Sequence, residues 1–234
     1  RDSNNSPYKT ALRTFSMPYA RQKFKLVLAS SSHYRQEIFD KLALSYESIS
    51  PDINESPLPF EAADKLVARL ALAKAKAAAV FIGARATVYP SAGDNSTLHK
   101  ETYLIAGSDQ VAVIDNKIIT KPHTHNNACE QLRRASGRKV MFLTSLCLYN
   151  THTGAHQSTV EPYTVNFLPL TDLQIENYLT KEQPYNCAGS FKSEGLGITL
   201  FESIQGDDPN TLIGLPLIAL VKMLRREGID PLSQ

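Results

Sequence analysis

Asp109 stands in residues 105–113, IAGSDQVAV, with apolar residues on both sides. An unpaired carboxylate in such a setting is costly, and Gly107 and Ser108 before it permit close backbone approach. No other acid in the sequence has so apolar a neighbourhood. The end of a central strand is where α/β sheets meet their ligands, although a plain turn aspartate reads the same way locally. Residues 28–35, LASSSHYR, bring Ser30, Ser31, Ser32 and Arg35 to a strand-to-helix turn. Free N–H groups, the helix dipole, hydroxyls and a guanidinium together suit a phosphate chain. Serines that only cap the helix give the same pattern, and the absence of GxxxxGK[ST] excludes a P-loop. Glu55 in NESP, Lys74 in LAKAKA and Lys121 in TKP are weak signals singly, since most exposed lysines are simply solvated. In combination they supply acids for a divalent metal and cations for phosphates. Glu194, in FKSEG, occupies a glycine-flanked turn before an apolar run. It is either a solvated loop acid or an acid that faces a ligand.

The totals narrow the class. With 234 residues the chain is long enough for a proper core. Its 25 basic and 23 acidic side chains leave a net charge of +2, without the basic excess of a dedicated nucleic-acid binder. No apolar run approaches a membrane span. Cys129, Cys147 and Cys187 are odd in number and far apart. They fit neither zinc spacing nor a disulfide framework, so they read as small core residues in a reducing compartment.

The elements that must position these side chains alternate. Residues 25–30 suit a buried strand, and Ile38, Phe39 and Leu42 give the next segment a helical apolar face. YESIS reads as a strand. Residues 61–80 form an alanine-rich helix with Leu66, Leu70, Ala73 and Ala77 along one side. Residues 83–101 read as a loop, YLIAG and VAVI as two strands separated by SDQ, and DNK as a hairpin turn. Residues 124–136 are helical, with Thr124 as N-cap and Gly137 at C′. Residues 140–167 make a second hairpin, with Pro162 at an edge or bulge. Thr171 and Gln174 form a capping box, LGITLFESI reads as a strand, and a helix with Leu217, Val221 and Leu224 on one face closes the chain. The class is α/β with a mixed sheet. Residues 1–23 are expected to be a flexible basic tail, and residues 24–234 a single domain.

Four blocks then line up in order: LVLASSSHYR, IAGSDQVAV, KP…ACEQLRRASGRKV…T, and GLGITLFESIQGDDPNTLIGLPL. Together they span nearly everything from Lys25 to Gly228, and the chain resembles the Maf-like nucleotide pyrophosphatases. Within that family it is most similar to the branch that hydrolyses 7-methyl-GTP. The resemblance implies a two-lobed mixed α/β fold with a deep central cleft. It implies cleavage of a nucleoside triphosphate to the monophosphate and pyrophosphate with a divalent cation (magnesium, manganese or cobalt), in a cytoplasmic protein and as a homodimer. It puts Asp109 at the general base, also a metal ligand with Glu55, and Ser30, Ser32, Arg35, Lys74 and Lys121 at phosphate-binding positions. Tyr34, Gln110 and Glu194 fall on the positions that mark base choice. The first motif departs from the family's usual form at His33, Tyr34 and Gln36.

The base-choice positions give Glu194 a task. A 7-methylated guanine carries a positive ring charge, which an aromatic face such as Tyr34 attracts. Guanine also presents a ring N–H and an amino group on one edge, and a carboxylate accepts from both. Pyrimidine or inosine triphosphate hydrolysis on the same fold, and non-catalytic nucleotide binding in cell-division control, stand as the rival readings. A nucleic-acid module or membrane protein is not expected.

Overall fold

The computed structural model describes residues 10–13, 24–88 and 101–233. The strands are β1 (Thr10–Arg13), β2 (Lys25–Ala29), β3 (Tyr46–Ile49), β4 (Tyr103–Ile114), β5 (Lys117–Ile119), β6 (Lys139–Asn150), β7 (His156–Phe167) and β8 (Phe201–Gln205). The helices are α1 (His33–Asp40), α2 (Ala63–Val88), α3 (His125–Ala135), α4 (Asp172–Glu182), α5 (Pro209–Ile213) and α6 (Leu217–Arg226). One sheet runs β1-β3-β2-β4-β6-β7-β8, with β5 paired onto β4. β2 is parallel to both β3 and β4, and the other ladders are antiparallel.

β4 explains how the sheet builds a site. The sequence reads as two strands broken at SDQ, yet β4 is continuous for 12 residues. β6 pairs with it from Leu104↔Asn150 to Val113↔Met141, through Asp109↔Ser145 and Gln110↔Thr144. A non-local ladder thus carries the polar residues that local patterning reads as a turn, and Asp109 lies mid-strand rather than at a strand end. Side chains alternate across a strand. Ile105, Gly107, Asp109 and Val111 therefore face α2, while Leu104, Ala106, Ser108 and Gln110 face the opposite layer.

The α2 face is packed closely. A Cβ on Gly107 would lie 2.2 Å from the Ala71 carbonyl oxygen, so the helix rests directly on the strand backbone. Gly107→Ala is expected to cost about 1–3 kcal/mol of stability through overpacking, read as a lower urea midpoint. An unchanged midpoint would mean that helix and strand can part without cost. The buried face of α2 carries Leu66, Val67, Leu70, Ala71, Lys74, Ala75 and Ala78. Ala73 and Ala77, expected on that face, are only partly buried. The periodicity was diluted by alanines, which mark no face clearly.

The opposite face holds two clusters. One joins Leu26, Leu28, Leu104 and Leu146 to α1 and α6, including Leu217 and Leu224, with Val221 packed against it. The other joins Ala112, Phe142 and Val165 to α3 and α4. The mixed α/β class is as expected, and these two clusters mark the two lobes that the family resemblance implies. The caps fall as expected: Thr124 and Thr171 accept from Asn127 and Gln174 N–H, and the Thr171–Gln174 box is complete. Gly137 takes a positive φ after α3.

Three further expectations are corrected. α2 continues to Val88, so residues 83–88 are helix rather than loop, and 89–100 lie outside the described residues. β1 pairs with β3, so residues 10–13 of the expected flexible tail are a strand; residues 1–9 and 14–23 lie outside the described residues. Leu196–Leu200 is a 3-10 turn, and only Phe201–Gln205 of the expected strand pairs. Glu182 Oε2 accepts the Leu196 N–H at 2.9 Å, and Gly197 packs on the Lys192 carbonyl, 2.2 Å from where a Cβ would sit. Those contacts fold the backbone back on itself.

Candidate active site

Asp109 is buried on β4 and faces Lys74 of α2. Lys74 Nζ donates to Asp109 Oδ1 at 2.6 Å and lies 2.8 Å from Glu55 Oε1. Both side chains of the Lys74–Asp109 pair are 10% exposed, whereas Glu55 is 57% exposed. Burial pushes the Glu55 carboxyl up, but the Lys74 hydrogen bond and the charges of Lys74, Lys121 and Arg35 outweigh it and hold it below the usual range. The loop bearing Glu55 is pinned by a fork. Arg69 donates to Glu61 Oε1 at 2.6 Å and Oε2 at 2.7 Å, and to the Ser56 carbonyl at 3.1 Å. The Arg69 bonds, with one from the Leu58 N–H, draw Glu61 down to about 2.

The serine turn sits beside this cluster. Ser32 caps α1, its hydroxyl accepting from the Arg35 N–H at 3.4 Å. Ser30 is buried: its hydroxyl accepts from the Ser32 N–H at 3.1 Å, and its carbonyl accepts from Ser48 at 2.7 Å. Arg35 Nε donates to the Gly214 carbonyl at 2.8 Å, which also accepts from Ser108 Oγ at 2.9 Å. Burial draws the guanidinium below the usual arginine range, with Asp109 and Glu55 acting the other way. It remains a cation, because arginine is not deprotonated in proteins.

A cavity of about 120 Å³ opens between the lobes. Ser32, Tyr34, Arg35, Gln110, Lys121 and Glu194 all line it. Asp109, Lys74 and Glu55 adjoin it through Arg35, whose charge reaches both carboxylates, and Lys121, whose charge reaches Glu55. Phe142, Phe191 and Leu212 give it an apolar floor. Burial, then Cys187 and Glu194, pushes the Tyr34 phenol up against the opposing charge of Lys192. The Gln110 amide nitrogen donates to Thr144 Oγ1 at 2.8 Å and to the Thr211 and Leu212 carbonyls at 2.9 and 3.1 Å. Carbonyls only accept, so the NH₂ end must face them. The amide oxygen is the atom left over.

The loop that carries Glu194 is clamped at both ends. Phe191 packs edge-on against Phe142, Phe167 and Phe201. Lys192 Nζ meets Glu182 Oε1 at 3.2 Å, and the Lys192 N–H donates to Tyr178 OH at 3.1 Å. Glu194 itself is exposed, with Ser193 Oγ donating to it at 3.2 Å. Lys192, Glu182 and Asn186 were not singled out in the sequence, and Cys187, read there as a small core residue, is half-buried and lines the cavity. They carry no motif and come near the cavity only through folding.

The family model for Maf-like protein matches residues 25–227. The chain belongs to the Maf-like protein family. The match covers every candidate site residue named above. Over 203 residues the chain is 52% identical to the 7-methyl-GTP pyrophosphatase of Nitrosococcus oceani, covering 87% of this chain and 93% of that protein.

Proposed function

We propose that this protein hydrolyses 7-methyl-GTP to 7-methyl-GMP and pyrophosphate. The observation that carries the reading is one cavity lined by an aromatic ring, Tyr34, a carboxylate, Glu194, and an oriented amide, Gln110, beside the Lys74–Asp109–Glu55 cluster. The methylated base is a cation whose ring N–H and amino group can donate to Glu194 and to the Gln110 amide oxygen. Tyr34 supplies a face for the charged ring. The 52% identity to a 7-methyl-GTP pyrophosphatase supports the same substrate.

In this reading the triphosphate extends from the base cavity toward Arg35 and Lys121, with Ser32 at the turn. Lys74 holds Asp109 Oδ1, and Oδ2 orients a water and accepts its proton as the water attacks the α-phosphorus. The new P–O bond forms as the bond between the α-phosphorus and the bridging oxygen breaks. Arg35, Lys74 and Lys121 stabilise the charge that leaves with pyrophosphate. The two carboxylates meet on one lysine, and their oxygens suit a hard divalent ion. Glu55 and Asp109 would hold magnesium, manganese or cobalt, which when bound neutralises phosphate charge. We read the protein as a cytoplasmic nucleotide-pool enzyme, consistent with its free Cys129, Cys147 and Cys187. A homodimer is the expected assembly from the family resemblance.

The test is pyrophosphate release from 7-methyl-GTP, GTP, UTP, dTTP, CTP and ITP with each metal. Preference for 7-methyl-GTP is expected. Glu194→Gln should erode that preference about 10- to 100-fold, the worth of a hydrogen bond to a charged group, while leaving the fold intact. An unchanged preference in Glu194→Gln removes this residue from base reading. A pyrimidine or ITP preference transfers the protein to that rival activity, and silence across the panel favours nucleotide binding without turnover.

A further inference from the structure

Away from the cavity, α3 and α4 bring together three side chains of a different chemical character. His125 and Cys129 are four residues apart and share one face of α3. Glu176 meets them from α4. His125 Nε2 lies 3.0 Å from Glu176 Oε2, and Cys129 Sγ lies 3.7 Å from the same oxygen. All three ligand atoms fall within 4.8 Å of one another. Four ligands around zinc at about 2.0–2.3 Å leave neighbouring ligand atoms a little over 3 Å apart, so small side-chain movements close this set on one ion.

A hydrogen-bond chain stands behind His125. Nδ1 lies 3.0 Å from Tyr185 OH, which in turn lies 3.5 Å from the Leu179 carbonyl. In the tautomer with the proton on Nδ1, Tyr185 OH accepts it and Nε2 is free to ligate beside Glu176 Oε2. A partner on the second ring nitrogen is what orients metal-bound histidines.

We propose that His125, Cys129 and Glu176 bind a zinc-class divalent ion, with water as the fourth ligand. The sulfur, imidazole and carboxylate donors favour zinc or cobalt(II) over magnesium. On binding, a sulfur–metal bond forms and the Cys129 thiol proton passes to solvent. No residue is shared with the base cavity, so the site is independent of the proposed activity. Its structural link to the cavity is Tyr185, whose carbonyl accepts from the His123 N–H at 2.9 Å and which leads directly into Asn186 and Cys187 of the cavity wall.

The experiment is a cobalt(II) titration of the chelator-stripped full chain in excess magnesium, which occupies oxygen-donor sites. The expected result is a near-ultraviolet thiolate-to-cobalt charge-transfer band saturating at one equivalent and bleached by zinc. Cys129→Ser should abolish the band, and Cys187→Ser and Glu55→Gln should leave it. Glu176→Gln, at an exposed position that the fold does not depend on, should weaken binding at least about tenfold, and Tyr185→Phe about tenfold. No band in the parent protein, a band that survives Cys129→Ser, or one unaffected by Glu176→Gln overturns the proposal.

Discussion

Asp109→Asn is expected to lower kcat for 7-methyl-GTP by about 10²- to 10⁴-fold, the usual contribution of a positioned general base. The amide keeps the size of the carboxylate and an oxygen for Lys74 Nζ, so the pair that holds β4 to α2 keeps a hydrogen bond. What it loses is the capacity to take a proton from water. Removing one negative charge beside a triphosphate also relieves repulsion, so nucleotide affinity should hold or rise. Single-turnover pyrophosphate release and calorimetric binding separate the two effects. Turnover within tenfold of the parent would remove Asp109 from proton transfer, whereas lost binding with lost turnover would mark it as structural.

Lys74→Met combines two losses. The ammonium contacts both Asp109 and Glu55, so its removal should cost about 10²- to 10³-fold in kcat if it stabilises phosphate charge. It also leaves Asp109 buried without its cation. Breaking a buried pair from one side costs about 3–5 kcal/mol, whereas exposed Glu55 stays solvated and adds little. Urea unfolding of Lys74→Met, Asp109→Asn and the double variant tests this as a cycle. The double variant should recover part of the loss in Lys74→Met, because the stranded charge is gone. A Lys74→Met protein that loses under 1 kcal/mol, or that turns over normally, would contradict the buried pair or its role.

The comparison of Asp109 and Glu194 shows which kinds of information lie in the sequence. Asp109 stands out locally because a carboxylate among apolar residues demands an explanation. Its place within a strand does not stand out, because the β6 ladder that carries SDQ is 36 residues away. Glu194 is marked by its glycine-flanked turn, but the turn's shape depends on Glu182 and Tyr178 of α4. The sequence therefore reads residues 196–204 as a strand, and long-range contacts convert the first half to a 3-10 turn. Ser30 carries the same lesson. Its hydroxyl suits a phosphate by type, and the fold adds what the sequence does not show: the oxygen accepts the Ser32 N–H while the O–H stays available to donate.

By itself the sequence determined what short-range chemistry fixes. Thr124, Thr171, Gln174 and Gly137 set helix ends, because capping groups act on N–H and C=O groups only a few residues away. The DNK turn and the α/β alternation follow from the same local rules, and the four ordered motifs carried the family resemblance. Tertiary structure alone decided which groups meet. Lys74 reaches Asp109 across 35 residues because Gly107 lets α2 rest on the β4 backbone. Gln110 is turned by carbonyls about 100 residues away, and His125 and Cys129 gain Glu176 only when α3 packs on α4. Such contacts depend on register and close packing between distant segments, and no local pattern encodes them.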